Sequence, residues 1–215
     1  MSVLEMTDEE RTAYFKALSE KAEGYMLALG RFVSIFSKVE ATLQTSLWKL
    51  AGVPEPTAQA VFSGLRVDAC IQFIGRIADA QKWEKRRKDE LRYVFSQLGM
   101  INKLRNNILH YGATMERHED VWVVSNKTFV HIPEKIQEIR ITPTLLNNAT
   151  ADLVKIESHL IVMTWGDEMS EIPRAAFAEI LKTAWLYKPP PRDQPSRKTR
   201  TPRQKRSHRQ AASRE

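Results

Sequence analysis

ELRYVFSQLGMINKLRNNILHYG, residues 90–112, decides how this 215-residue chain is read. Apolar residues recur at Leu91, Val94, Phe95, Leu98, Ile101, Leu104, Ile108 and Leu109. That is the three-and-four spacing of a helix with one buried stripe. Gly112 stands where a left-handed residue closes the last turn. The helix therefore ends in a polar packet of Arg105, Asn106, Asn107 and His110, followed by Tyr111, at the carbonyl end of its dipole, which favours a cationic imidazole. Asn106 and His110 are four apart and share a face. Arg105 and His110 are five apart, about 140° around the axis, and flank one sector of the helix. A histidine with a movable proton beside a fixed cation suits work on a phosphodiester: the guanidinium holds the phosphate and the imidazole transfers the proton.

Upstream of this helix, Thr7 and Glu10 form a capping box that starts a first helix through Tyr14, Phe15, Leu18, Ala22, Tyr25 and Met26. Residues 27–51 continue with Leu29, Phe32, Val33, Phe36, Val39, Leu43, Leu47 and Leu50. Gly24 and Gly30 leave open whether residues 7–50 make one helix or two. Glu40 lies at the edge of this stripe. It reads first as a boundary residue with its head in water, and second as a bundle-facing carboxylate that pairs with Arg105 or orients the site. Residues 57–81 give a third helical region, bent at Gly64, in which Arg66 and Arg76 read as solvated helix residues before RNA contacts. Cys70, among Ile71, Phe73 and Ile74, reads as a buried thiol. Lys82, Lys85, Arg86, Arg87 and Lys88 form a basic loop or helix start, with phosphate contact as the second reading. Trp83 reads as a packing anchor.

Past Gly112 the pattern changes. Residues 114–116, 121–124 and 128–130 are short and β-branched, with 137–141 as a further strand. They form a small hairpin or meander, too small to fold alone. His118 and His131 fall in it without metal-ligand spacing. Thr142-Pro143 then caps a helix that runs to Trp165. His159 lies along its apolar run and reads as a core histidine. Residues 173–186 make a last helix, with Trp185 and Tyr187 docking it.

Composition bounds the remainder. The net charge of +7 is unevenly placed: residues 188–215 carry 10 Lys and Arg against 2 acids, leaving 23 against 24 elsewhere. The tail lacks apolar periodicity and is expected to be disordered. It is read equally as an arm for RNA or another polyanion and as a solubilising tail. The single cysteine cannot form an internal disulfide, which suits a reducing, cytoplasmic compartment. The acidic start lacks a signal-peptide pattern, and no apolar run approaches the ~20 residues a membrane helix needs. Glycine-rich phosphate loops, zinc spacings, nucleophile elbows, paired catalytic carboxylates and repeats are missing from the sequence. No metal site or cofactor is expected.

The run Arg105-Asn106-Asn107-Ile108-Leu109-His110 resembles the Arg–polar–x3–His signature of the HEPN superfamily, small helical bundles of which many are metal-independent endoribonucleases. The segment around Glu40 is similar to the leading helix of several such families. The same Arg-to-His spacing recurs at Arg203 and His208, in a tail with no core to hold it. The resemblance implies a mainly α fold, an antiparallel bundle of four to five helices over residues 1–187. A β-hairpin insert would occupy about 113–141 and the basic tail 188–215. It implies catalysis by His110, Arg105 and Asn106, with Glu40, Asn107, Tyr111 and Lys103 supporting or binding RNA. A homodimer through the motif helices is implied, with an antitoxin or regulatory protein as a further partner, in a toxin–antitoxin or anti-phage setting. In toxins silenced by a nucleotidyltransferase partner a Tyr stands two residues after the His. Gly112 holds that place here, so control by adenylylation is not expected. The alternative is a non-catalytic dimerisation, RNA-binding or regulatory module.

Overall fold

The computed structural model describes residues 6–116 and 120–190. The first helix, α1 (Asp8–Ala51), is opened by the capping box. The Thr7 hydroxyl accepts from the Glu10 N–H at 3.3 Å, and the Glu10 carboxylate accepts from the Thr7 N–H at 2.8 Å. Gly24 and Gly30 do not interrupt it. Their helix penalty of about 1 kcal/mol each is outweighed by a stripe of buried side chains, Tyr25, Ala28, Phe32, Phe36, Val39, Leu43 and Leu47. No residue before Tyr25 in α1 is buried, and Phe15, Met26 and Leu27 are exposed. The helix closes at Gly52, whose φ of 65° is left-handed.

The third helical region is two helices rather than one bent one. They are α2 (Glu55–Phe62) and α3 (Val67–Ala80), separated at Gly64, where φ is 75°. α3 is fastened to α1 at both ends. The Gln44 amide donates to the Leu65 carbonyl at 3.2 Å and the Gln81 amide to the Leu50 carbonyl at 3.0 Å. α4 (Lys85–Tyr111) is the motif helix, and the Gly112 N–H donates to the Ile108 carbonyl at 2.9 Å.

The insert is a three-stranded antiparallel sheet of order β1-β2-β3, made of β1 (Thr114–Met115), β2 (Trp122–Ser125) and β3 (Glu138–Ile141). Thr114 pairs with Val123, and Trp122 with Ile141. The strand expected at 128–130 does not form: Thr128 and Phe129 lie in a turn. Alternation turns Trp122, Val124 and Ile141 inward. Trp122 stacks on Tyr25 of α1 with ring centroids 4.3 Å apart and planes 11° apart.

α5 (Pro143–Trp165) begins as the sequence indicates, with the Thr142 hydroxyl accepting from the Leu145 N–H at 3.1 Å. Its Leu146, Ala149, Leu153, Ile156 and Leu160 form a three-and-four stripe, and α1 with α5 shares the most extensive packing in the fold. A 3-10 turn (Gly166–Glu168) leads to α6 (Glu171–Lys182). The last helix thus stops at Lys182, not at 186, and residues 184–190 are without helix or strand. The core lies between α1, α3, α4, α5 and the sheet. The fold is mainly helical with a small sheet, and His118 and residues 191–215 lie outside the described residues. No helix among the described residues is long and apolar enough to cross a membrane.

Candidate functional site

The buried face of α4 fixes where the polar packet points. Leu98, Ile101, Leu104 and Ile108 are buried, whereas Leu109 is 49 % exposed and leaves the expected stripe. At 100° per residue, Arg105 falls within the core sector. It is half-buried, with its guanidinium carbon 5.3 Å from the centre of the Phe36 ring of α1 and Nη1 donating to the Asn106 carbonyl oxygen at 3.1 Å. His110 points the other way and is exposed. Lys103, Asn106, Asn107 and His110 stand at i, i+3, i+4 and i+7, so they form one stripe on the outer face of the helix. Tyr111 follows, partly exposed, its ring 6.4 Å from the His110 ring and 5.6 Å from the ring of Phe129.

The structure therefore brings Asn106 to Arg105 and Tyr111 to His110, and it does not bring Arg105 to His110. Glu40 is half-buried and makes no ion pair with Arg105. Its charge is felt instead by Cys70 of α3, where burial pushes the thiol above its usual range, a backbone hydrogen bond opposes this, and Glu40 adds a smaller push upward. That thiol is buried and faces the Leu65 carbonyl at 3.8 Å. Asn102, one residue before Lys103, is buried and donates to Asp68 at 3.4 Å.

The basic run before the motif is largely committed to internal partners. Lys85 pairs with Asp89 at 2.8 Å and Lys88 with Asp79 at 3.1 Å. Arg87 lies over the Trp83 ring at 3.8 Å and donates to the Met163 carbonyl at 2.9 Å. Arg76 lies 5.7 Å from the Phe73 ring centre. His131 is exposed.

A second polar cluster joins α4, α5 and the segment after α6. Asp152 is buried, and its carboxylate accepts from the Gln97 amide at 2.8 Å, the Tyr187 N–H at 2.8 Å and the Leu186 N–H at 2.9 Å. The Gln97 amide also donates to the Tyr187 carbonyl at 3.1 Å. Lys155 donates to the Thr183 carbonyl and lies 4.5 Å from the Trp185 ring centre. Burial lowers its affinity for a proton, against the pull of Asp152. His159 stacks on Trp185 with centroids 6.1 Å apart, and its Nδ1 is 3.4 Å from Glu90. Burial pushes the His159 pKa down, Glu90 opposes this, and Lys155 adds to it. The sequence signal for this cluster was the placement of Asp152 and Lys155 inside an apolar helical spacing.

Two cavities flank α4. One of ≈ 370 Å³ lies between α3 and α4 by Gly75, Lys88 and Phe95, and one of ≈ 280 Å³ lies between α4, α5 and α6 by Glu90, His159 and Leu181. Neither is lined by Arg105 or His110. No group of three or more His, Cys, Asp or Glu side chains is placed to hold a metal among the described residues. No family model, curated protein or solved structure matches the chain.

Proposed function

We propose that this protein is an endoribonuclease that cleaves RNA without a metal ion, using the C-terminal end of α4. The observation that carries the reading is the outer stripe of Lys103, Asn107 and His110, whose side chains make no hydrogen bond or ion pair among the described residues. A stripe of donors and one titratable ring left without internal partners is suited to a phosphate ligand. In the proposed reaction the 2′-hydroxyl of RNA attacks its adjacent phosphate. His110 removes or returns the proton, a cation stabilises the charge on the phosphorane, and the products are a 2′,3′-cyclic phosphate and a 5′-hydroxyl.

One histidine cannot serve as base and acid together, and Arg105 stands about 140° from His110 on its own helix. A two-fold pair of motif helices, which the resemblance implies, would supply two His110 rings and two Arg105 guanidinium groups to one composite cleft. The resemblance to HEPN proteins extends the proposal to a toxin–antitoxin or anti-phage setting in the cytoplasm, with an antitoxin or regulatory partner. The test is incubation of purified protein with a structured RNA and a matched DNA in chelator, with His110→Ala alongside. Cleavage of RNA alone, lost in the variant, supports the reading; inert wild type or active variant defeats it.

A second reading is favoured by the first turns of α1, which bury no residue and expose Phe15. An unburied amphipathic helix is suited to pairing with another chain, and a non-catalytic dimerisation module would need no exposed histidine. Sedimentation of Phe15→Glu beside the cleavage assay separates the two: a dimer lost in Phe15→Glu while wild type cuts no RNA assigns the chain to assembly, and wild type that cuts RNA defeats the non-catalytic reading.

A further inference from the structure

Among the large apolar side chains of the described residues, Phe129 is the most exposed, at 64 %. Its position is built rather than loose. Asn126, at the start of its loop, is buried, with its carbonyl oxygen accepting from the Gln137 N–H at 2.8 Å and its amide donating to the Lys135 carbonyl at 3.3 Å. The Asn126 backbone carbonyl accepts from the Phe129 N–H at 2.9 Å. One buried asparagine thus clamps both ends of the loop and presents Phe129 outward, against Tyr111 of α4, with ring centroids 5.6 Å apart and planes 44° apart. The Tyr111 ring is also 6.4 Å from that of His110, so rings from two parts of the chain neighbour one another at the surface.

We propose that Tyr111 and Phe129 form a stacking platform for an unpaired base of single-stranded RNA, and so determine which nucleotide presents its phosphodiester to His110. This rests on the endoribonuclease reading of the same site. Exposed aromatic faces beside cations are the usual means of holding a base without pairing it. Charge favours a polyanion over a second apolar surface. Lys127 and Lys135 against the single acid Glu134 flank Phe129 in residues 126–137, and Lys103 stands on the outer stripe of α4. Lys103, Lys127 and Lys135 form no ion pair among the described residues.

The test measures binding of a short fluorescent single-stranded RNA in a His110→Ala background, where cleavage does not interfere. Phe129→Ala is expected to weaken binding about 5- to 100-fold, whereas Phe129→Trp and Tyr111→Phe retain it. Ile132→Ala, which changes the neighbouring exposed side chain, serves as the control. Cleavage mapping then compares wild type with Phe129→Ala, whose preferred positions are expected to be lost. Binding by Phe129→Ala within roughly two-fold of its parent overturns the platform. So does a Phe129→Ala protein that loses a dimer but not RNA affinity, which would make the patch a protein interface. If wild type cleaves RNA and Phe129→Ala changes nothing, the platform fails and the endoribonuclease reading stands. If wild type is inert but Phe129→Ala loses RNA affinity, the endoribonuclease reading fails and the platform stands. Wild type that neither binds nor cleaves RNA defeats both.

Discussion

Gln97 and His110 lie on the same helix in surroundings of opposite kind. Gln97 is buried, and its amide donates both to Asp152 and to the Tyr187 carbonyl. His110 is exposed and hydrogen-bonds to nothing among the described residues. The polar groups around Gln97 are spent on one another: a carboxylate with three donors, a lysine with a carbonyl, a histidine with a glutamate. Polar groups saturated in this way hold a chain segment in place and have nothing left for a ligand. Those at the end of α4 keep their bonding capacity, which is what a substrate site requires. Arg105 belongs to both worlds, half-buried against Phe36 but with a guanidinium of five donors and one acceptor among the described residues, Asn106.

The contrast predicts opposite profiles for substitutions in the two regions. His110→Ala is expected to reduce RNA cleavage by about 10²- to 10⁴-fold while shifting the melting temperature by less than about 2 °C, as a surface change does. Single-turnover cleavage and thermal melts check both halves. Asp152→Ala is expected to do the reverse in stability. It strands the Leu186 and Tyr187 N–H groups and takes from the Gln97 amide one of its two acceptors, at a cost of about 3 kcal/mol or more, which lowers the melting temperature by about 6–12 °C. Arg105→Ala should fall between them, losing about 1 kcal/mol with its place over Phe36 and also losing cleavage. Equal melting temperatures for Asp152→Ala and His110→Ala would break the comparison.

The pH dependence sharpens it further. His159 has its folded pKa depressed, so the unfolded chain takes up its proton first as pH falls. Its contribution to stability is therefore complete above the unfolded value near 6.5 and is lost as pH drops through the folded value. Urea melts between pH 7.5 and pH 5.5 should show stability falling with acid, with a shallower fall in His159→Phe. The smallest expected effect is at Tyr25, whose hydroxyl is buried without a hydrogen-bond partner among the described residues. Tyr25→Phe keeps the stack on Trp122 and removes the stranded group, so equilibrium unfolding should show no loss and a gain of up to about 1 kcal/mol.

Features encoded within a turn or two were legible in the sequence. The Thr7 box, the Thr142 cap and the Gly112 stop all stand where local chemistry puts them. Length and termination were harder where distant partners decide. The chain from Thr183 to Tyr187 carries apolar residues at helical spacing, yet the N–H groups of Leu186 and Tyr187 are claimed by Asp152, so the helix ends at Lys182. Gly64 was legible as a bend, and its left-handed backbone makes it a break. Residues 128–130 are β-branched and aromatic, but Asn126 draws Phe129 into a turn. At the packet, helical geometry already put Arg105 and His110 on different sectors. What sequence did not reveal is that Phe36 occupies the face of Arg105 and that Phe129, distant along the chain, stands beside Tyr111.

The most direct measurement is mass analysis of the fragment ends after the protein cuts RNA in chelator. Attack by the internal 2′-hydroxyl, with His110 moving the proton, predicts 2′,3′-cyclic phosphate and 5′-hydroxyl ends that vanish in His110→Ala. Fragments ending in a simple 3′-hydroxyl, or cyclic ends that persist in His110→Ala, would contradict the assignment of the exposed face of α4 as the catalytic one.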